Sequence, residues 1–480
     1  MNIKSIFARS VLFSSLSALS LAACQSPQMA LRPMPGQGMQ APGSQFQSFA
    51  SNRSGKYQLD HVLLGVSDSR QLEALAAKYQ ARIVRQVAPI GLGVLQLPQG
   101  KSAATVIREL KTEPGVRFAE ADEISKPAPD KTMDPSNNRL RSRLPFNDPL
   151  LGQQYGLDRV NAGAAWANTA GSENVIVAVV DSGVHSSHED LRDRLVTGYD
   201  AYNSRKGLNY SDPSRLSYIP SEKFASFGHG THCAGIIAGS ANNQRGIAGV
   251  APNVKIMPVK VFPSILKSIT SPEERERMQN PETMTSVVAE GIVWATEHGA
   301  DVINLSLGFN EPSKSLELAV NYATQKNVVV VVASGNERHQ GNPLNYLSAA
   351  PGAIAVGATD KNDQITFFSN AGQHVSVSAP GFDILSTMPT FLGIGKEYQL
   401  MSGTSMAAPH VAGVAALLKS VDKSASPAEI KQIMEQSADD LGAPGFDELY
   451  GHGRVNAGQA VALMLQRRGQ AVKQPNNPLG

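Results

Sequence analysis

The chain has 480 residues, 41% of them hydrophobic and 18% charged, with a formal net charge of +2. This length is enough for two or three domains of ordinary size, and the near balance of charge argues against a basic surface for nucleic acid. Only two cysteines occur, Cys24 and Cys233, which argues against a fold held by several disulfides.

Residues 1–23 have the pattern of an export signal. Lys4 and Arg9 form a short basic region, and residues 11–23 form an apolar run that is too short to span a bilayer. The run ends in Leu21-Ala22-Ala23-Cys24, which resembles a bacterial lipoprotein signal in which the cysteine becomes the lipid-bearing first residue. The alternative is an ordinary signal peptide cut nearby, with Cys24 incidental.

The next three segments are predicted to be a tether, a small domain and a linker. Residues 24–55 are rich in Gln, Pro, Gly, Ser and Met without periodicity, which predicts a flexible tether. Residues 56–126 alternate apolar strand and helix patterns in the order β-α-β-β-α-β, which suits a ferredoxin-like α+β sandwich. Residues 127–146 are polar, basic and proline-bearing, which predicts an exposed linker open to maturation cleavage.

Residues 147–465 are predicted to form one α/β domain. Apolar runs of strand length alternate with helical patterns, which favours a doubly wound parallel sheet. In such sheets, sites form beyond the carboxyl ends of the strands. The predicted strands are 175–180, 256–262, 300–305, 328–333 and 353–357, and the predicted helices are 230–238, 285–298, 316–326 and 404–419. Residues 466–480 are predicted to be a polar tail.

Four polar residues stand where these elements end or begin. Asp181 follows the first strand, His229 lies between two glycines where a helix is predicted to start, and Asn336 follows the strand 328–333. Ser405 begins the helix 404–419, where unpaired N–H groups favour a developing anion, so it could act as a nucleophile. Each also has an ordinary explanation as a turn or capping residue.

Five motifs taken together resemble the subtilisin-like serine peptidases, with the residues in that family's order of Asp, His and Ser. The resemblance covers about residues 147–465, and the preceding domain resembles the inhibitor prodomain of that family more loosely. The motifs are Val180-Asp181-Ser182-Gly183, Gly228-His229-Gly230-Thr231-His232, Asn304-Leu305-Ser306-Leu307-Gly308, Ser334-Gly335-Asn336 and Gly403-Thr404-Ser405-Met406-Ala407-Ala408-Pro409.

The resemblance implies a serine endopeptidase that works through an acyl-enzyme and needs no cofactor for catalysis. Ser405 would be the nucleophile, His229 the general base and acid, and Asp181 the group that orients the imidazole. Asn336 and the Ser405 N–H would bind the oxyanion. The protein would be a self-processing zymogen, a monomer with no nucleic-acid partner, and its own prodomain would inhibit it.

Substrate contacts are also implied by the resemblance. Ser306, Leu307 and Gly308 would pair with the substrate backbone, and Ala333, Ser334 and Gly335 would form one wall of the primary specificity pocket. Asn345 and Tyr346 are candidates for its far side. Glu337 could favour basic side chains, so the preference stays open. Residues 199–227 and 263–284 exceed minimal connections and are interpreted as surface insertions near the cleft.

A structural calcium site is implied as well. Its ligands would be side-chain oxygens of Asp148, Asp190 and Asn243 and the carbonyl oxygens of Ala241, Arg245 and Ile247, a set that suits a hard cation. The alternative is a group of unrelated polar loop residues. A metal bound by His229 and His232 is disfavoured because no His-Glu-x-x-His pattern is present. Cys233 resembles a buried free cysteine of some family members and is expected to be core.

Two other functions remain open from the sequence. A protease-like lipoprotein could bind peptides without cutting them, although no triad member is missing. An α/β-hydrolase esterase could use Ser405 with His452, although Ala407 stands where its serine elbow wants glycine. If Cys24 carries lipid ahead of the prodomain, cleavage within 127–146 would free the α/β domain to the periplasm or extracellular space, so anchoring would be temporary.

Overall fold

The computed structural model describes residues 57–126, 144–207, 224–263, 282–390 and 397–474, all within one compact unit that starts at Asn52. The predictions for residues 1–23, Cys24, the tether 24–55 and nearly all of the linker 127–146 lie outside these residues. So do parts of the insertions 199–227 and 263–284 and the end of the tail 466–480. None of the helices in the described ranges combines the length and apolarity required to cross a bilayer.

The N-terminal domain, residues 57–126, has the predicted β-α-β-β-α-β order. Its sheet is antiparallel with strand order β2-β3-β1-β4, and both helices pack on one face of it. The hairpin between β2 and β3 turns at Gly91, whose φ of 59° favours glycine. The elements are β1 (Tyr57–Gly65), α1 (Ser69–Lys78), β2 (Arg82–Val87), β3 (Leu92–Gln96), α2 (Ala103–Leu110) and β4 (Phe118–Ser125).

The α/β domain, residues 144–474, is built on an eight-stranded sheet with order β13-β12-β11-β10-β5-β8-β6-β7. Its pairs are parallel except for β6 with β7 at one edge. The strands are β5 (Ile176–Asp181), β6 (Tyr199–Asp200), β7 (Arg205–Lys206), β8 (Lys255–Lys260), β9 (Thr283–Met284), β10 (Val302–Leu305), β11 (Val329–Ala333), β12 (Ala353–Thr359), β13 (Val375–Pro380), β14 (Ile384–Thr387) and β15 (Tyr398–Met401). Strands β14 and β15 form a separate antiparallel ribbon, and β9 pairs with the N-terminal sheet.

Helices cover both faces of this sheet, so the predicted doubly wound architecture is confirmed. Side chains of β5 alternate between two apolar clusters, Val177 and Val179 in one and Ala178 and Val180 in the other, as the period of a strand requires. The helices are α3 (Tyr155–Arg159), α4 (Ala162–Trp166), α5 (Phe224–Ala238), α6 (Thr285–Glu297), α7 (Lys314–Gln325), α8 (Thr404–Val421), α9 (Pro427–Gln436) and α10 (Ala457–Arg467). Helices α5, α8 and α10 share one cluster, and α6 and α7 the other.

Two helix boundaries and one missed strand are the differences from the sequence predictions that matter most for the site and the domain limits. Helix α5 starts at Phe224, so His229 lies in its second turn and not at its N-terminus. Helix α10 continues to Arg467, past the predicted domain end at residue 465, and Lys473 exchanges two hydrogen bonds with the Asn168 amide. Strand β13 was missed because its serines weaken the apolar pattern, yet the whole strand is buried.

The two domains share a sheet edge and an apolar core. Strand β4 pairs with β9 of the α/β domain, with Ile124 opposite Met284. Side chains from the N-terminal sheet, among them Leu63 and Leu92, belong to the same apolar cluster as residues of α6 and α7. The N-terminal domain therefore covers the outer face of these two helices.

Acidic side chains of β4 also cap both helices. The Glu120 carboxylate accepts from the Lys314 and Ser315 N–H groups at the start of α7 (2.8 and 3.1 Å), and Asp122 accepts from the Ser286 N–H and hydroxyl at the start of α6 (3.0 and 2.7 Å). Helix N-termini leave N–H groups unpaired and favour negative charge, so these contacts stabilise the assembled chain.

Candidate active site

Asp181 and His229 form a close, buried pair. Asp181 ends β5, and His229 Nδ1 lies 2.8 Å from each of its carboxylate oxygens. Both residues are 1% exposed. Gly230 permits this approach, because a Cβ there would lie 2.4 Å from the Gly183 carbonyl oxygen and 3.0 Å from the Asp181 Cβ.

The carboxylate controls the charge of the imidazole. Burial opposes a charged ring, but the adjacent Asp181 outweighs it and holds the pKa of His229 well above its ordinary value near 6.5. The ring therefore keeps a proton more firmly than a free histidine does. It becomes available as a base only when the pH rises above this pKa.

Ser405 lies in the first turn of α8 and is connected to His229 through Cys233. The Ser405 carbonyl oxygen accepts from the Ser306 hydroxyl (2.8 Å) and the Cys233 thiol (3.5 Å), and the Cys233 sulfur is 4.0 Å from His229 Nδ1. The Ser405 hydroxyl donates to the Ser306 carbonyl at 3.2 Å. Asp181, His229 and Ser405 thus belong to one buried site at the carboxyl end of the sheet.

Asn336 is held next to Ser405 by the start of α8. Its side-chain oxygen accepts from the Thr404 N–H (2.8 Å) and hydroxyl (2.9 Å), so it caps the helix. Within the described residues its Nδ2 group makes no hydrogen bond. The anchored oxygen leaves this donor beside Ser405, as an oxyanion-binding amide requires. Sequence reasoning missed Thr404 as the residue that orients this amide, because the contact joins positions 68 residues apart.

A cleft of about 370 Å³ opens in front of Ser405. The predicted substrate residues Ser306, Leu307, Gly308, Ala333 and Gly335 line it, together with Asn336, Glu337, Asn345, Thr404 and Ser405. Ser334 does not line it, because its buried hydroxyl donates to the Asn370 carbonyl. Tyr346 does not line it either; its backbone N–H donates to the Phe309 carbonyl. Of the two candidates for the far side of the pocket, only Asn345 lines the cleft.

The end of β4 forms one wall of the same cleft. Glu123, Ile124, Ser125 and Lys126 line it from the N-terminal domain. The Ser125 hydroxyl donates to the Gly308 carbonyl at 2.6 Å, and the Glu123 carboxylate accepts from the backbone N–H of Asn310 at 3.2 Å. The segment therefore contacts the backbone that the sequence assigns to substrate.

Most of the residues predicted to bind calcium are connected by hydrogen bonds. Asp148 accepts from the N–H of Asn243 (3.2 Å), and the Asn243 amide donates to Asp190 (2.6 Å), which also accepts from the Ile247 N–H (3.0 Å). Burial raises the pKa of Asp190 to about 6 and also raises that of Asp148. Burial opposes the negative charge of both carboxylates, and a hard cation bound between them would offset this cost. Ala241 and Arg245 lie in the same loop.

Two alternatives find no support in the contacts. His232 Nε2 lies 3.1 Å from the Gln399 carbonyl oxygen, so this nitrogen is directed at the backbone of β15, and burial lowers the pKa of the ring to about 3. The His452 ring packs on Phe446 (5.4 Å between centroids), and the backbone N–H of His452 donates to the Ser376 carbonyl oxygen. Among the described residues, no contact connects His452 with Ser405.

Comparisons with known proteins agree with this geometry. The family model described as the subtilase family matches residues 172–453, and a model of the fervidolysin N-terminal prodomain matches residues 44–122. The chain is 33% identical over 458 residues to the thermophilic serine proteinase of Bacillus sp. (strain AK1), covering 94% of this chain and 99% of that protein. It is 42% identical over 317 residues to thermitase of Thermoactinomyces vulgaris, covering 66% and 98%.

A solved structure is also similar. It is that of fervidolysin from Fervidobacterium pennivorans, described as a keratinolytic enzyme related to subtilisin. The TM-score is 0.72 at 28% sequence identity, and the match covers 86% of this chain and 62% of that one.

The pKa of His229 predicts how the reactivity of Ser405 depends on pH. Once the N-terminal domain is removed, the rate of labelling by a serine-reactive fluorophosphonate should fall with decreasing pH, because protonation of the imidazole removes the base. The midpoint should lie above 6.5, since the pKa is raised. Asp181→Asn should slow labelling by about 10⁴ and move the midpoint to lower pH. Asp193→Asn, at an exposed carboxylate, is the control. An unchanged midpoint in Asp181→Asn would contradict the assignment.

Proposed function

The chain belongs to the subtilase family, and we propose that Ser405, His229 and Asp181 are the groups with which it hydrolyses peptide bonds. It is a subtilisin-like serine endopeptidase with an N-terminal prodomain, residues 57–126 of the described chain. The observation that carries the residue assignment is the buried contact between His229 Nδ1 and the Asp181 carboxylate, joined to Ser405 through Cys233.

The first step is attack of Ser405 Oγ on the peptide carbonyl. His229 holds one proton on Nδ1 toward Asp181, which leaves Nε2 as the base that accepts the serine proton. The serine hydroxyl turns from the Ser306 carbonyl toward this nitrogen as substrate enters. Asp181 stays ionised and stabilises the imidazolium that forms.

The tetrahedral intermediate then collapses. His229 gives its proton to the leaving amine, and the acyl group remains on Ser405 until water, activated by the same imidazole, releases it. The Asn336 Nδ2 group and the Ser405 N–H bind the oxyanion in both halves of the reaction. Loss of one such side-chain donor costs about 10²–10³ in turnover.

The prodomain inhibits the enzyme from within the same chain. Residues 123–126 form one wall of the cleft, where the Ser125 hydroxyl donates to the Gly308 carbonyl, and β4 pairs with the short strand β9 in the way that a bound peptide adds to a sheet edge. Self-cleavage in the linker 127–146 would convert this precursor into two noncovalently bound parts. Substrate gains access only after the segment leaves.

Ser405→Ala is the variant that tests self-processing. It should remain full length and inactive on casein, because loss of the nucleophile costs on the order of 10⁶ in turnover. Ser420→Ala is a matched control on the same helix, where the hydroxyl donates to the Ala416 carbonyl. Mass spectrometry of the purified proteins reads out the cut. A Ser405→Ala chain that still matures when purified alone would refute self-processing.

We also propose a structural calcium ion at Asp148, Asp190 and Asn243, with carbonyl oxygens of Ala241, Arg245 and Ile247 completing the set. The support is the close approach of two buried carboxylates with raised pKa values and an amide between them. The ion would hold the segment before α3 against the loop after α5. Its role is stability, and no catalytic step depends on it.

Asp190→Asn should remove most of the calcium-dependent stability. In a Ser405→Ala background, which prevents self-digestion, free calcium at 100-fold above its Kd should add about 2.7 kcal/mol to the wild-type site. The variant should gain far less stability from calcium, and in chelator it should be modestly less stable, because its amide cannot accept from both the Asn243 amide and the Ile247 N–H as the carboxylate does. Thermal unfolding with calcium and with chelator measures both, and Asp193→Asn is the control. Equal calcium shifts in all proteins would refute the site.

We further propose that Cys24 carries lipid and that anchoring ends with maturation. The support is the signal pattern of residues 1–23 and the position of Cys24 ahead of the prodomain. Because Cys24 lies before the linker, a cut within 127–146 would separate the lipid from the α/β domain once the prodomain departs.

Cys24→Ala should abolish incorporation of a labelled fatty acid into the Ser405→Ala precursor, while Cys233→Ala should not, since Cys233 is buried in the site. In cells making the active protein, the mature domain should appear in the periplasm or medium. Mature enzyme found only in detergent extracts would contradict temporary anchoring.

A further inference from the structure

Besides the shared apolar core and the helix caps on Glu120 and Asp122, the prodomain makes polar contacts with the α/β domain at both edges of its sheet. One edge is the end of β4, at the cleft. The other is β2, three strand spacings or about 14 Å away, where Arg85 lies. Arg85 reaches across the interface to the Glu290 carboxylate on α6 and donates to the Ala201 carbonyl after β6 at 3.0 Å.

This second attachment is a shielded ion pair. The side chains of Arg85 and Glu290 are 13% and 14% exposed. Glu290 also accepts from the Tyr199 hydroxyl, and Tyr199 stacks on Trp294 at 4.6 Å. The carboxylate is therefore held in place by side chains of the α/β domain as well as by Arg85. The neighbouring Asp200 is already paired with Lys260 (2.9 Å).

We propose that Arg85 and Glu290 form a lock that retains the prodomain after the linker is cut and that recognises this prodomain in preference to other occupants of the cleft. The proposal rests on the inhibitory role of the prodomain proposed above. A substrate competes with residues 123–126 for the cleft, but it offers no arginine to Glu290. Two linked contacts also hold more tightly than either alone, because release of one leaves the other to guide its return.

The lock delays two events that cleavage alone would otherwise trigger. Activity waits until residues 123–126 leave the cleft for good, and departure of the α/β domain from the tethered prodomain waits for the same step. Cutting the linker changes neither Arg85 nor Glu290, so the lifetime of the nicked complex is set at a site that substrate does not touch.

The chemistry of a buried pair predicts a specific pattern among variants. Arg85→Gln leaves the shielded Glu290 carboxylate without a cationic partner, and Glu290→Gln leaves Arg85 without an anionic one, so each should speed prodomain dissociation by about 10- to 100-fold. Removing both charges leaves neither unpaired. The double variant should therefore dissociate no faster than either single variant.

The experiment uses the full chain with Ser405→Ala and a site for a sequence-specific protease inserted in the linker. The nick is then made by the added protease and does not depend on self-cleavage, so a failure of the catalytic assignment leaves this test intact. Dissociation of the nicked prodomain is followed by size-exclusion chromatography over time. Circular dichroism before nicking confirms that each variant is folded.

Matched controls are available on the same two elements. Arg82→Gln changes an exposed arginine on β2 that donates to Gln96 within the prodomain, and Glu297→Gln changes an exposed carboxylate on α6. Both should dissociate like the parent. The lock would be overturned if the single variants at 85 and 290 released the prodomain as slowly as these controls. It would also be overturned if the increase in dissociation rate of the double variant equalled the product of the increases in the two single variants.

Discussion

The contact between the Asp181 carboxylate and the His229 imidazole is the constraint on which the site depends. It requires a strand whose last residue carries the carboxylate, a helix that passes beside this strand end, and a glycine at 230 that leaves room for both. Ser405 is then fixed by its own backbone, through Ser306 and Cys233 on the Ser405 carbonyl. The nucleophile is therefore positioned by main-chain contacts, while its hydroxyl stays free to turn.

The helices around this site are completed by groups from outside their own sequence. Asn336 caps α8, and the prodomain carboxylates Glu120 and Asp122 cap α7 and α6. The first cap directs an amide toward the reacting serine, whereas the other two disappear when the prodomain leaves. The same acidic strand that lines one wall of the cleft thus stabilises the helices beneath it, which couples assembly of the fold to the inhibition we propose.

The sequence predicted the architecture well because buried parallel strands such as β11 are continuous valine runs. The candidate residues Asp181, His229 and Ser405 could be selected because they lie in motifs that occur in a fixed order. The prediction failed where the deciding contact is tertiary. The start of α5 precedes the glycine-flanked His229, and the serines of β13 conceal a buried strand. The direction of Ser334 and Tyr346 depends on Asn370 and Phe309. The pairing of Arg85 with Glu290 joins residues 205 positions apart in a pattern that no local periodicity reveals.

The most direct test of the central contact is the proton NMR signal of His229 in the processed, nitrogen-15-labelled enzyme. The account predicts a proton on Nδ1, strongly deshielded by its hydrogen bond to Asp181, that titrates with a pKa above 6.5 and is lost in Asp181→Asn. A neutral ring whose proton lies on Nε2, or a signal that is unaffected by the change at residue 181, would contradict it.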